Sequence, residues 1–147
     1  MRLTRFTDYS LRVLIYLGQH NDTRVTINQI SESYDISKNH LMKVVSNLTR
    51  LKFVAARRGP GGGIQLNRAP EEIKLSEVIN ATEKHLPELQ ATRPPGTIPA
   101  EADKRLGSFL QQALQAYLEA LGRFTLADIL QSGDNTNKLL GLNEKAA

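Results

Sequence analysis

A mainly α-helical fold with a small β-hairpin is predicted by three features of the sequence. Three short segments near the N-terminus each open on a helix-capping residue and then carry apolar residues at helical spacing. A glycine-rich turn between two extended segments follows them. A long helical pattern begins near residue 101. Together these features are typical of a winged helix-turn-helix with a long C-terminal helix.

The first two helices are predicted from their capping residues. Thr7 is expected at an N-cap inside a hydrophobic staple, and Gly18 is expected to stop that helix. Thr26 is expected at a second N-cap, where Gln29 stands at the position that completes a capping box. The second helix should therefore be about two turns long and run to Tyr34.

The third helix is expected over Ser37–Leu51, with Ser37 as its N-cap. Its apolar residues recur at helical spacing and predict one buried stripe, and they are Leu41, Val44, Val45, Leu48 and Leu51. The opposite face is polar and basic, and the segment contains no acid. A short turn joins this helix to the second one, which is the spacing of a helix-turn-helix whose second helix enters the major groove.

A basic hairpin follows this helix. Residues 53–56 and 64–66 can extend, and the glycines of 59–63 suit a tight reversal with Arg57 and Arg58 at its tip. Phosphate-binding glycine loops need a Gly-Lys-Ser/Thr ending or a Gly-x-Gly-x-x-Gly opening onto a helix, and neither is present. The hairpin is therefore interpreted as a wing rather than a nucleotide site.

A DNA-binding surface is predicted from the second helix start, the third helix and the wing. Its proposed members are Thr26, Ser37, Lys38, Asn39, His40, Lys43, Arg50, Arg57, Arg58, Gly61 and Gly62. Structural roles compete with this interpretation at several positions. Arg50 and Lys52 suit a helix C-terminus electrostatically without DNA, and His40 can serve as a local cap or a neutral surface residue.

The distribution of charge favours an anionic partner for the N-terminal half. Residues 1–70 carry 11 basic and 4 acidic groups, whereas residues 71–147 carry 8 and 11. The sequence has no run of about 18 apolar residues and no signal-peptide pattern, so a cytoplasmic protein without membrane attachment is expected. Its three scattered histidines form no catalytic arrangement with surface acids, which argues against an enzyme.

The C-terminal half is expected to mediate dimerisation. Residues 1–84 form the predicted DNA-binding domain, which ends with an amphipathic segment over Ile73–Glu83, and residues 85–100 form a proline-rich linker. A dimerisation helix and a short helix capped by Thr125 follow over residues 101–131, and 132–147 are expected to be a flexible tail. The predicted dimer seam comprises Leu106, Leu110, Ala113, Tyr117, Leu121 and Phe124. An intrachain core helix is the alternative interpretation.

Four motifs resemble those of NsrR, the nitric-oxide-sensing repressor, and its IscR-type relatives. They are Met1-Arg-Leu-Thr-Arg-Phe-Thr-Asp-Tyr-Ser-Leu-Arg-Val-Leu-Ile-Tyr-Leu17, Ile36-Ser-Lys-Asn-His-Leu-Met-Lys-Val-Val45, Arg58-Gly-Pro-Gly-Gly-Gly-Ile-Gln-Leu66 and Phe124-Thr-Leu-Ala-Asp128. The resemblance covers residues 1 to about 130. It implies a homodimeric bacterial regulator that binds palindromic operators, with Ser37–Leu51 as recognition helix and Val54–Leu66 as wing.

The chain departs from these relatives in its cofactor ligands. NsrR-type relatives hold an iron-sulfur cluster through three cysteines in the segment corresponding to roughly residues 90–104, and this chain contains no cysteine. Asp8 matches a position that supplies a carboxylate ligand from the other subunit in some relatives. One carboxylate does not hold a cluster, because iron-sulfur iron selects thiolates. We therefore expect no cofactor and no metal, and interpret Asp8 as an acid that favours its helix dipole.

The sequence leaves more than one hypothesis open for the effector and for the function. The effector is a small molecule between the wing-side domain and the dimer helix, a protein partner, or absent in a constitutive repressor. Cysteines replaced by engineering would produce the same sequence. The leading functional hypothesis is a sequence-specific repressor. The alternative is a cluster-free protein-interaction adaptor, or a small-molecule-responsive regulator, with weak operator choice.

Overall fold

A computed structural model describes residues 2–84, 86 and 100–131 of the chain. The helices are α1 (Arg5–Gln19), α2 (Ile27–Tyr34), α3 (Lys38–Arg50), α4 (Leu75–Thr82), α5 (Ala100–Leu121) and α6 (Leu126–Leu130). The antiparallel strands β1 (Val54–Arg57) and β2 (Gly63–Leu66) form a hairpin, and a 3-10 turn spans Pro70–Glu72. This architecture confirms the mainly α-helical fold with a β-hairpin wing. Most of the linker expected at 85–100 and the tail expected at 132–147 lie outside the described residues.

The hydrophobic core lies under the helix-turn-helix and joins it to the wing and to α6. Helices α1, α2 and α3 each turn an apolar stripe inward, as their helical spacing predicts. The side chains that are at most 2% exposed include Val13, Leu14, Leu17, Val25, Ile30, Leu41, Val44, Leu48, Phe53, Val54, Ile73, Val78 and Leu126. This continuous core holds α3 and the wing on one scaffold.

The predicted start of the first helix was wrong by one turn. Thr4 is the N-cap of α1, and its side-chain oxygen accepts a hydrogen bond from the backbone N–H of Thr7 at 3.3 Å. Thr7 itself lies inside the helix and is fully buried. The hydrophobic staple around Thr7 favoured the later start, although Thr4 makes a local cap of the usual kind. Thr4 is also held from a distance. Its backbone N–H and hydroxyl donate to Glu83 Oε1 at 2.6 and 3.0 Å.

Gly18 does not stop α1, which continues to Gln19. Gly18 instead packs against the tip of the Leu130 side chain in α6, so a Cβ added there would require that side chain to shift. The predicted capping box at Thr26 and the N-cap at Ser37 are both confirmed. Local capping therefore identifies these two helix starts correctly.

The end of α5 differs from the predicted seam, which extended to Phe124. The helix ends at Leu121, and the backbone N–H of Phe124 donates to the carbonyl oxygen of Leu121 at 3.1 Å. The carbonyl of Phe124 accepts from the N–H of Leu75 at 3.0 Å, and the N–H of Leu126 donates to Ile73 O at 2.8 Å. The segment after α5 thus pairs with the segment before α4, an interaction that helical periodicity does not reveal.

The predicted cap of the last helix is present. The backbone N–H of Thr125 donates to Asp128 Oδ2 at 2.7 Å, and its hydroxyl donates to the same oxygen at 3.1 Å. Within the described part of the chain, no helix combines the length and apolar character needed to cross a membrane.

Candidate nucleic-acid interface

The exposed face of α3 is built by the burial of its opposite face. Leu41, Val44 and Leu48 are at most 1% exposed and fix the helix against the core. The turn from α2 to α3 is closed at Asp35, which takes a left-handed conformation with φ 52°. The Ser31 hydroxyl donates to the carbonyl of Ile36 at 2.6 Å and holds this turn. The core and the turn together present α3 to solvent at a defined angle.

The outward face of α3 carries four residues of the predicted DNA-binding surface. Lys38, Asn39, Lys43 and Arg50 are all exposed, as the pattern predicts. Arg50 Nη2 donates to Asn47 Oδ1 at 2.8 Å, so its guanidinium is partly engaged within the helix. This face offers both hydrogen-bond donors and cations to a groove.

Met42 and His40 also lie at the exposed surface of α3. Met42 is 57% exposed and, with Lys43, Ser46, Asn47 and Arg50, lines a shallow depression of about 410 Å³. Met42 is not part of the predicted buried stripe, and its position on the helix turns it outward. His40 lies on the flank next to α1, with its ring centroid 6.1 Å from that of Tyr9.

The wing has the predicted hairpin geometry. Val54 pairs with Leu66 and Arg57 with Gly63, and Gly59, Gly61 and Gly63 have positive φ values. Gly61, with φ +68°, takes a conformation that disfavours other residues.

Gly62 is required for a different reason than Gly61. A Cβ added there would lie 2.5 Å from the carbonyl oxygen of Arg57 and 2.6 Å from that of Gly59. Arg57 is the last residue of β1, Arg58 follows it, and both are exposed. The glycines thus shape a tight turn that carries two exposed arginines.

The base of the wing is fixed to the start of α2. Val25 and Ile64 form an isolated antiparallel bridge, with N–H to carbonyl distances of 2.9 and 2.7 Å. The adjacent Arg24 donates from Nε to Gln65 Oε1 at 3.3 Å and from Nη1 to Gly61 O at 3.5 Å. Arg24 was not among the predicted residues, because only the folded chain brings it to the hairpin.

The two predicted capping residues of the interface have structural partners. The Thr26 hydroxyl lies 3.1 Å from Gln29 Oε1 and accepts from the Gln29 N–H at 3.3 Å, and Ser37 Oγ accepts from the His40 N–H at 3.3 Å. Both residues are exposed at the helix N-termini. A capping role for each is confirmed, and contact with DNA stays a prediction for both.

The predicted dimer seam is partly exposed on α5. Leu106 and Leu110 are each 39% exposed, and the neighbouring Phe109 is 64% exposed. Ala113 is exposed, whereas Tyr117 and Leu121 are half-buried nearer the C-terminal end of the helix. Burial raises the pKa of the Tyr117 hydroxyl, as does the nearby Glu83 carboxylate. The exposed apolar surface of α5 is therefore largest in the N-terminal half of the helix.

Comparison with known proteins identifies the family. The profile of Rrf2, described as an iron-dependent transcriptional regulator, matches residues 3–132. The chain belongs to the Rrf2 family. It is 44% identical to the transcriptional regulator NsrR of Bacillus licheniformis over 95% of this chain and 99% of that protein. It is 40% identical to NsrR of Bacillus subtilis over 98% of this chain and all of that protein.

Solved structures of Rrf2-type regulators share the fold. IscR of T. potens has a TM-score of 0.68 and 23% identity, covering 88% of this chain and 86% of that chain. CymR, the global cysteine regulator of B. subtilis, has a TM-score of 0.70 and 21% identity, covering 91% of this chain and 99% of that chain. The predicted NsrR and IscR resemblance is confirmed, and this chain is a DNA-binding transcriptional regulator of a non-enzymatic family.

The Rrf2 description implies iron, and the donors of this chain do not fit an iron-sulfur cluster. The sequence contains no cysteine to supply thiolates. Within residues 2–84, 86 and 100–131, no three histidine or acidic side chains converge as a metal site would require. Asp8 accepts from Arg12 Nε at 2.9 Å in an ion pair that is about half exposed on both sides, so its carboxylate already has a cationic partner. Hydrogen bonding to Asp8 also raises the pKa of Arg12.

Proposed function

We propose that this Rrf2 protein is a homodimeric repressor that binds a palindromic operator and works without an iron-sulfur cluster. The supporting observation is the exposed, acid-free basic face of α3 on the same scaffold as an arginine-bearing wing. Side chains at the start of α3 read base edges, and the wing arginines bind phosphate. Occupying promoter DNA in this way blocks transcription sterically.

The proposed dimer sets the geometry of the operator. The apolar face around Leu106, Phe109 and Leu110 supports pairing of α5 with the same helix of a second copy. A two-fold dimer places its two α3 helices in successive major grooves about 34 Å apart. Half-sites are then expected about ten base pairs apart, centre to centre, or at a multiple of that spacing.

The first test mixes purified protein with sheared genomic DNA of the source organism and recovers the fragments that the protein binds. Affinity for the recovered sequences is then measured across a salt series. A recurrent palindrome with at least about a thousandfold preference over random DNA supports the proposal. Affinity that depends steeply on salt but not on sequence contradicts it, and favours a protein-interaction adaptor instead.

Lys43→Ala is expected to weaken operator binding about tenfold and to weaken random-sequence binding much less. Lys43 stands on the outward face of α3, where a base contact contributes discrimination of about 1–3 kcal/mol. Arg58→Ala, in the exposed wing, is the matched comparison, and its loss should be similar on both DNAs with a shallower salt slope. Fluorescence anisotropy on both DNAs measures the difference. Equal losses for Lys43→Ala would refute its assignment as a base-reading residue.

The cluster-free state predicts indifference to nitric oxide. Protein purified under anaerobic, reducing conditions is expected to hold less than about a tenth of an iron per chain, because thiolate ligands are missing. Its operator affinity should be unchanged after exposure to a nitric-oxide donor. Stoichiometric iron and sulfide, together with a visible absorbance that nitric oxide bleaches, would overturn this part of the proposal.

A further inference from the structure

A cleft lies between the start of α1 and the first half of α3. It has a volume of about 230 Å³ and is lined by Arg5, Phe6, Tyr9, His40, Lys43 and Val44. Three of these residues come from the first turns of α1 and three from the first half of α3. The cleft therefore lies directly beside the helix proposed to read DNA.

The walls of the cleft suit a flat ring. Val44 is only 1% exposed, and Phe6 and Tyr9 are partly buried against the core. The rings of Tyr9 and His40 stand 6.1 Å apart between centroids and are tilted by 38°. Aromatic walls favour aromatic ligands through offset or edge-to-face contacts, a preference that a purely ionic phosphate site lacks.

The rim of the cleft is cationic. Arg5 and Lys43 are exposed, and none of the described residues that line the cleft is acidic. In the described part of the chain the ion pairs use Arg12 and Arg68, so Arg5 and Lys43 have no acidic partner there. A carboxylate at the rim would gain charge-assisted hydrogen bonds from these groups. Apolar walls beneath two available cations match a ligand with an aromatic body and one anionic end.

We propose that this cleft binds a small aromatic monocarboxylate. Its size supports a single ring, since an apolar cavity of about 150 Å³ is enough to hold benzene. The volume is also below the range of about 300–1,000 Å³ that is usual for drug-sized ligands, which disfavours a nucleotide. The ring lies against Phe6 and Tyr9, and the carboxylate pairs with Arg5 and Lys43.

Binding in the cleft also opposes binding to DNA, a consequence that rests on the proposed function. Lys43 serves both the cleft rim and the outward face of α3, and a bound carboxylate neutralises its charge. The ligand thus lowers operator affinity, and by linkage the operator lowers ligand affinity by the same factor. The aromatic acid is then an effector that releases the operator.

The test titrates benzoate into full-length protein without DNA and follows backbone amide shifts by NMR. The expected result is saturable shifts at Phe6, Tyr9 and Val44, with binding about tenfold weaker in Arg5→Gln. Cyclohexanecarboxylate, which has the same charge but no planar ring, should bind several-fold more weakly. Arg12→Gln is the matched control, because Arg12 lies on α1 but does not line the cleft, and it should bind benzoate normally.

The second measurement compares operator affinity without benzoate and with benzoate at about five times the wild-type dissociation constant. The wild-type affinity is expected to fall about fivefold, whereas Arg5→Gln, which binds benzoate about tenfold more weakly, should lose less than about twofold. No saturable benzoate shifts, or inorganic phosphate binding as tightly as benzoate, overturns the ligand assignment. Benzoate binding that leaves operator affinity unchanged overturns the effector role. If specific DNA binding is absent altogether, the proposed function and the effector role fail, while the amide shifts still decide the ligand.

Discussion

Leu126→Ala is expected to lower the free energy of unfolding by about 2–5 kcal/mol. Leu126 is fully buried in the main core, although it comes from the five-residue helix α6 that follows the long helix. Removing its side chain leaves a cavity between α6 and the segment at Ile73, to which its backbone N–H is bonded. Natural domains are stable by about 5–15 kcal/mol, so this loss is a large fraction of the total.

Urea unfolding at equal protein concentration measures this loss, because the stability of a dimer depends on concentration. Ile129→Ala is the matched control, since it lies on the same short helix but is 42% exposed, and its cost should be below about 1 kcal/mol. Equal costs for the two variants would mean that α6 does not pack on the core as described.

Local rules predicted the helix starts that have only local causes. Thr26 and Ser37 cap their helices through residues three positions further on, so the sequence alone reveals them. Thr4 also caps through the residue three positions further on, but the hydrophobic staple around Thr7 indicated the later start. The additional bonds from Thr4 to Glu83, 79 residues away, have no local signal. The contact between Gly18 and the tip of the Leu130 side chain also has no local signal, because it joins residues that are far apart in the sequence. Contacts that close over a long separation in sequence were invisible to the patterns used.

The candidate nucleic-acid interface shows the same division between features with local causes and features that depend on long-range contacts. The outward face of α3 and the glycine turn of the wing follow from periodicity and turn chemistry, and both were predicted. Arg24 and Tyr9 were not, because Arg24 meets the wing and Tyr9 meets His40 only after folding. Met42 was assigned to neither face of the helix, and the structure places it on the outward side at 57% exposure. DNA contact stays a prediction for every member of the surface.

Leu110→Asp is expected to abolish the proposed dimer and to weaken operator binding about a hundredfold. Leu110 lies with Leu106 and Phe109 on the exposed apolar face of α5. A carboxylate buried between two such faces would lack a compensating partner, a cost that an apolar interface does not offset. A monomer binds only one half-site and loses the additional affinity that comes from binding the second half-site. That gain in affinity is typically a factor of about 10²–10⁴.

Gln111→Asp provides the matched control, because it adds the same charge at the next residue of α5 at an exposed position about 100° around the helix. Sedimentation gives the oligomeric state of both variants, circular dichroism checks that each is folded, and anisotropy gives operator affinity. The proposal requires a folded monomer with weak operator binding for Leu110→Asp and a dimer with normal binding for Gln111→Asp. A Leu110→Asp protein that remains dimeric would place the dimer interface elsewhere. A monomer that keeps full operator affinity would instead remove the two-fold dimer from the mechanism, because one recognition helix and one wing would then suffice.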